Sequence, residues 1–257
     1  METSLHRSLK EHYGLGSGGR VEVAVGGYRI DALGSSGQFV EVQNGPLRLL
    51  RRKLATLLPN HDVCVVKPVI IRRRLVRRSS AEGIDFRGRL SPRVGNVVDA
   101  FGDLVGIARL FPHPRLSIEV VALTIEEIRS PRLGRRGYAV VDRRLDRILG
   151  VTRLAEPRDL WKLLPASDRW EEPFTSRTIA TVVQRPAWYA RQVAYCLRVM
   201  GAAEVMRRER SGIVYQKTEA SCLRDRVRCH RGRSNSAGAL RDLRERYSST
   251  EGNDEHP

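Results

Sequence analysis

Residues 28–53 read YRIDALGSSGQFVEVQNGPLRLLRRK, and their order decides the fold. YRIDAL (28–33) alternates, with Tyr28 and Ile30 on one side and Arg29 and Asp31 on the other, as a strand with period two requires. A Gly/Ser turn follows. QFVEVQ (38–43) alternates again and puts Phe39, Glu41 and Gln43 on one face. Asn44-Gly45 breaks that strand, and Pro46 opens a helix at the position where proline is tolerated. The helix reads to about Asn60. Two adjacent strands therefore each carry one acid, and the following helix carries Lys53.

Working outward, TSLHRSLKEHY (3–13) predicts a short amphipathic helix capped by Thr3 or Ser4, with Leu5, Leu9 and Tyr13 on one face and Glu11 near its end. GLGSGG (14–19) is a turn. RVEVAV (20–25) alternates as a strand, and Gly26-Gly27 is a hairpin signal. DVCVVKPVII (62–71) is a continuous apolar run, as expected of a strand buried on both faces. The predicted order is α-β-β-β-α-β, a mixed α/β chain of the α+β kind.

Beyond residue 71 the pattern loosens. RRRLVRR (72–78) reads as a basic run and residues 79–89 as a polar linker. Residues 94–110 read as a helix, 115–128 as a strand, 131–136 as a loop and 156–165 as a short helix. Residues 138–154 fit a hairpin or a strand and helix equally. From Pro173 the pattern sharpens. Residues 174–183 read as a helix, Gln184-Arg185-Pro186 as a turn, and 187–201 as a longer helix ended by Gly201. Residues 203–217 read as a hairpin with a basic tip. That layout is the layout of a winged helix. The expected divisions are a core at 1–78, an extension packed on it at 79–172, the helix pair and hairpin at 173–218, and a disordered or loosely helical tail at 219–257.

The chain has 257 residues and a formal net charge of +17, nearly all of it arginine. Residues 1–78 hold 14 basic and 6 acidic groups, and 173–218 hold 8 and 2. The middle and the tail are close to neutral. Two basic modules joined by a neutral one point to a nucleic-acid partner, read here as DNA. Cys64 and Cys196 fall in apolar patterns and read as core, whereas Cys222, Cys229 and His230 have no zinc-type spacing. No apolar run approaches the roughly 18 residues of a membrane span, and no secretory pattern opens the chain, so the expectation is a cytoplasmic protein without a membrane partner. His6, His12 and His61 read as surface residues. Trp161, Trp170 and Trp188 read as packing residues.

Phosphodiester hydrolysis uses a divalent cation to polarise the phosphate and activate water. Magnesium prefers hard carboxylate oxygens, of which the protein supplies one or two. Asp31 and Glu41, on neighbouring strands, suit that role. The alternative is that both acids face solvent or pair with Arg29, Arg51 or Arg52. With the element order, these residues resemble the PD-(D/E)XK, or restriction-endonuclease-like, nuclease superfamily over residues 3–71. The resemblance implies Mg²⁺ or Mn²⁺ held by Asp31 and Glu41, with Glu11 as the extra acid some members carry on the first helix. Gln43 stands where the pattern has lysine. Lys53 is the candidate for a migrated lysine, and Arg29 is a second source of positive charge. The resemblance also allows a homodimer, although no residue marks a dimer face.

If residues 173–218 are a winged helix, the second helix enters the major groove and the hairpin touches the backbone. Arg185, Tyr189, Arg191, Tyr195 and Arg198 are then the groove-facing candidates, and Arg207, Arg208 and Arg210 the phosphate contacts. The expected activity is metal-dependent endonucleolytic cleavage of DNA. The alternatives are a nuclease fold that binds DNA without cutting it, and a basic structural module that meets an acidic protein.

Overall fold

The computed structural model describes residues 2–79, 83–132, 136–165, 170 and 172–218. The tail from 219, with Cys222, Cys229 and His230, lies outside the described residues, as does part of the 131–136 loop.

The chain opens with α1 (Ser4–Gly14), where the Thr3 hydroxyl accepts from the His6 N–H at 3.4 Å as its cap. Strands β1 (Arg20–Val25) and β2 (Tyr28–Leu33) form a hairpin. Its two turn residues, Gly26 and Gly27, have φ of 55° and 79°. Two successive positive φ angles match the twist of the flanking strands, and glycine adopts them without steric cost. Strand β3 (Phe39–Val42) pairs antiparallel with β2. A 3₁₀ turn (Leu47–Leu50) runs into α2 (Arg51–Leu57) and carries the chain back to β4 (Val63–Ser79), parallel to β3. The order up to β4 is thus α-β-β-β-α-β.

Strand β4 does not stop at the apolar run. The arginine-rich 72–78 segment continues it, and β5 (Gly83–Leu90) folds back antiparallel on its far half, where a polar linker was expected. Charged side chains on an exposed sheet face keep the backbone free to pair, which composition alone does not reveal. Residues 94–110 are not one helix. They form a 3₁₀ turn (Val97–Ala100), the single turn α3 (Phe101–Leu104) and a second 3₁₀ turn (Ala108–Leu110). Between the last two, Gly106 packs close to the Leu47–Leu50 turn, where a Cβ would lie 2.6 Å from the Arg48 backbone nitrogen. Strand β6 (Leu116–Pro131) lies parallel to β4, and β7 (Tyr138–Leu154) returns antiparallel as one continuous strand. The seven-stranded sheet has the order β1-β2-β3-β4-β6-β7, with β5 beside β4.

A 3₁₀ turn (Pro157–Leu163) replaces the expected short helix. Then β8 (Phe174–Thr175), α4 (Ser176–Val183), α5 (Ala187–Val199), β9 (Ala203–Glu209) and β10 (Gly212–Lys217) follow. The last three strands make a small sheet in the order β8-β10-β9. Mixed helices and largely antiparallel strands make this an α+β protein.

The large sheet has two unlike faces. On the broad face α2, the 97–110 segment and the α4–α5 pair bury one continuous core, including Leu54, Phe101, Ile118, Ile179 and Leu197. The helix pair therefore shares a core with the sheet. On the narrow face, among the described residues, α1 is the helix that covers Val40, Val42, Cys64, Val66, Leu123 and Ile125, with Leu5 and Leu9. Val63 and Val65 face the broad core and Cys64 and Val66 the narrow one, which accounts for the unbroken apolar run of β4. Cys64 and Cys196 are buried free thiols. Among the described residues no helix is long and apolar enough to cross a membrane.

Candidate active site at the fork between β2 and β3

Backbone pairing between β2 and β3 is made at Leu33–Phe39 and Ala32–Val40. One step further along, side chains take over. Asp31 Oδ2 accepts the Val42 N–H at 2.9 Å, and Glu41 Oε1 accepts the Asp31 N–H at 3.4 Å. Each carboxylate thus takes a backbone donor from the opposite strand, and the two acids sit together at the fork. Lys53 reaches over from α2 to pair with Glu41, and its Nζ also donates to the Arg29 carbonyl at 2.5 Å.

The two acids differ electrostatically. Glu41 has a side chain 5% exposed. Burial pushes its pKa above the ordinary value, against the opposing pull of Lys53. Burial also works to raise Asp31, but the hydrogen bonds from His6 and the Val42 N–H outweigh it and hold Asp31 below the ordinary range. His6 Nε2 lies 3.4 Å from Asp31 Oδ1.

Asp31 opens on a pocket of about 520 Å³ on the narrow face. α1 contributes His6 and Lys10 to it, β2 contributes Arg29 and Asp31, the end of β3 contributes Gln43, and β7 contributes Arg143. Glu22 bridges Lys10 at 2.7 Å and Arg29 beside the pocket. The hydrogen bonds of Lys10 and then Arg29 lower its pKa to about 2. Behind the end of β3, buried Lys67 donates to the carbonyls of Asn44 (3.3 Å) and Gly45 (2.9 Å) and pairs with Asp103 at 2.8 Å. It anchors the turn that carries the chain away from Gln43.

Asp31, Glu41 and Lys53 are therefore in one contact group, and Gln43 and Arg29 line the adjoining pocket. Glu11 is exposed and is not among the lining residues. Its helix offers His6 and Lys10 to the pocket instead. That is the opposite of the surface role expected for His6. Positions 6, 10 and 13 recur at i, i+4 and i+7, so a helical wheel carries the signal. Among the described residues no three of His, Cys, Asp and Glu come together as a metal set. The donor set at the fork is two carboxylates, a hard-oxygen pair that a magnesium ion can complete with water and phosphate oxygens.

The helix pair departs further from the expected arrangement. The Tyr189 hydroxyl donates to the Val98 carbonyl at 2.9 Å and accepts the Gly102 N–H at 3.1 Å. Arg185 binds Asp99 at 2.7 and 3.1 Å. Tyr189 ties α5, and Arg185 the turn before it, to the 97–104 segment. Trp188, expected in the core, is 56% exposed at the start of α5. Arg191 and Arg198 are exposed on α5, with Tyr195 half-buried between them. On the hairpin Arg208 and Arg210 are exposed, and Arg207 is paired with Glu209 at 2.7 Å. Trp161 and Trp170 pack edge-to-face with each other and with Phe174.

The chain belongs to the family described as Domain of unknown function (DUF8091), whose model matches residues 3–155. That span contains every fork and pocket residue except Glu2, and it ends before the helix pair. The chain is also similar to an uncharacterized protein of Treponema pallidum (strain Nichols), at 36% identity over 148 residues, which is 56% of this chain and 58% of that protein. No solved structure matches.

Proposed function

We propose that this protein is a nucleic-acid-binding phosphodiester hydrolase of the PD-(D/E)XK type, centred on Asp31 and Glu41. The observation that carries the reading is the fork itself. It holds two carboxylates in mutual backbone contact, one of them on a lysine, beside a pocket of mixed charge. Asp31 and Glu41 would hold Mg²⁺ or Mn²⁺, which when bound polarises a phosphate oxygen and lowers the pKa of a water. His6 fixes the Asp31 carboxylate. Lys53 supplies at Glu41 the positive charge that Gln43 lacks, and Gln43 offers a dipole at the pocket wall. The exposed Arg191, Arg198, Arg208 and Arg210 would hold the phosphates of a DNA duplex in the manner of a winged helix.

The test is cleavage of plasmid and branched DNA in Mg²⁺ or Mn²⁺. Asp31→Asn and Glu41→Gln should each leave less than roughly 1% of the wild-type rate, and Lys53→Met should cost about 10–100-fold. Cleavage that survives both acid substitutions would sink the proposal. A second reading, a nuclease fold that binds without cutting, is favoured by the Gln43 substitution and by the engagement of Glu41 with Lys53. It is supported if salt-dependent DNA binding is found with no metal-dependent cleavage.

A further inference from the structure

Glu127 lies on β6, on the narrow face of the sheet, with a side chain only 3% exposed. A carboxylate so buried must have its charge met by protein. Three arginines from three strands meet it. Arg129 donates Nε and Nη2 to Oε1 at 2.8 and 2.6 Å. Arg143, directly opposite on β7, donates Nε to Oε2 at 3.4 Å. Arg73 on β4 places Nη1 4.0 Å from the same oxygen. Arg129 is further fixed by lying 3.7 Å over the Tyr138 ring. Burial works to raise the Glu127 pKa, and the contact with Arg129 outweighs it, so the carboxylate stays ionised.

One carboxylate satisfies one guanidinium. Here it organises three, which leaves a local excess of two positive charges. The nearby acids do not balance them. Asp142 accepts from the Ser4 N–H (2.9 Å), the Ser4 hydroxyl (2.6 Å) and the Arg143 N–H (2.8 Å), and lies 3.7 Å from Arg144. Glu2 is 2.7 Å from Lys10. Arg143 engages Glu127 through Nε alone, and it lines the same pocket as Asp31. A guanidinium held through Nε on a buried carboxylate presents its other two nitrogens as a fork, the geometry that suits a phosphate.

We propose that Arg143, backed by Arg73 and Arg129 on Glu127, is a phosphate subsite of this pocket. It takes a backbone phosphodiester of a nucleic-acid strand next to the one presented to Asp31, which lines the pocket where Glu41 does not. The identity of the ligand as nucleic acid rests on the proposed function. The pocket's size, about 520 Å³, is that of a site for one small-molecule-sized unit. A volume of that size matches one strand better than two, so what enters it is one strand of the bound DNA.

The experiment uses the full chain and a fluorescent single-stranded 12-mer in EDTA, titrated across a salt series. Each phosphate contact to a single strand contributes about 0.7 to the slope of log affinity against log salt. Arg143→Gln should weaken binding several-fold and lower the slope by about 0.7, and adding Arg73→Gln, at a residue that makes no phosphate contact, should lower it no further. Arg143→Lys, which keeps charge but not the fork, should fall between. Arg144→Gln, an exposed neighbour outside the cluster, should match wild type. A 12-mer with neutral methylphosphonate linkages should bind wild type and Arg143→Gln equally. Thermal melting of each variant checks folding, since Arg129 alone still meets Glu127. A wild-type slope in a folded Arg143→Gln protein, or the same loss in Arg144→Gln, would overturn the subsite. Cleavage by wild type with no slope change in Arg143→Gln removes the subsite alone. A slope change without metal-dependent cleavage removes the hydrolase reading and leaves the subsite.

Discussion

The two faces of the large sheet solve the same burial problem with different materials. The broad face is covered by several helical elements and is mostly apolar, with Leu47, Leu54, Phe101 and Leu104 at or near zero exposure and its buried Glu41 and Lys67 paired with Lys53 and Asp103 of the covering elements. Among the described residues the narrow face is covered by one helix, and charge is buried both on α1 and along β6. Lys10, Glu119 and Glu127 are all buried there. Each is paired: Glu119 with Tyr13 at 2.6 Å and Arg153 at 3.3 Å, Glu127 with its arginines, and Lys10 with Glu2 and Glu22. Buried pairs of this kind contribute little net stability relative to apolar packing, but removing one partner is costly. The broad face thus supplies stability, and the narrow face supplies polar groups held in fixed positions beside a pocket.

That contrast can be broken by substitution. Phe101→Ala should show the largest effect, a loss of about 3–5 kcal/mol in denaturant unfolding, because it opens a cavity between the sheet and α5. Tyr13→Phe removes no volume to speak of, yet takes away the hydroxyl that meets the buried Glu119 carboxylate. It should cost about 1.5–3 kcal/mol, and a loss below about 0.5 kcal/mol would show the narrow-face network to be dispensable.

The smallest effect is one of sign, read as unfolding free energy between pH 3 and 7. Asp31 has a lowered folded pKa, so its contribution is present above its unfolded value near 3.9 and is lost as pH falls through the folded pKa. Asp31→Asn should therefore be destabilising at neutral pH and converge on wild type in acid. Glu41 has a raised folded pKa, so its contribution is fully present below the unfolded value near 4.3 and is lost as pH rises through the folded pKa. Relative to Glu41→Gln, wild type should lose stability as pH rises over that window. Curves that move in the same direction for the two variants would contradict the fork electrostatics.

The elements that flank the fork were legible because period-two alternation and a Gly/Ser turn fix which residues of β2 and β3 stand opposite each other. Lys53 was named through the family resemblance, as a lysine that could have migrated to the helix after the second strand. The insertion of the Asp31 carboxylate onto the Val42 N–H was not legible, since nothing in the pattern marks where two paired strands part. On α5 Trp188 was expected in the core and Tyr189 in the groove, whereas the structure exposes Trp188 and buries Tyr189. Adjacent helix positions differ by about 100° in direction, so an error of one residue in phase moves a side chain from partner to core. Arg185 was misplaced because its partner, Asp99, lies 86 positions earlier in the chain. The continuation of β4 was hidden by charge, because exposed arginines on a sheet face and arginines in a linker have the same composition.

Strand β7 borders the large sheet, and among the described residues no further strand pairs with its outer edge. A 17-residue edge of this kind is a template for unwanted pairing with other chains. Arg143, Arg144, Arg147 and Arg153 lie along it, and three breaks in register against β6 bend it away from a flat ribbon. The same arginine-rich strand that frames the pocket therefore also keeps the sheet from growing by recruiting its neighbours.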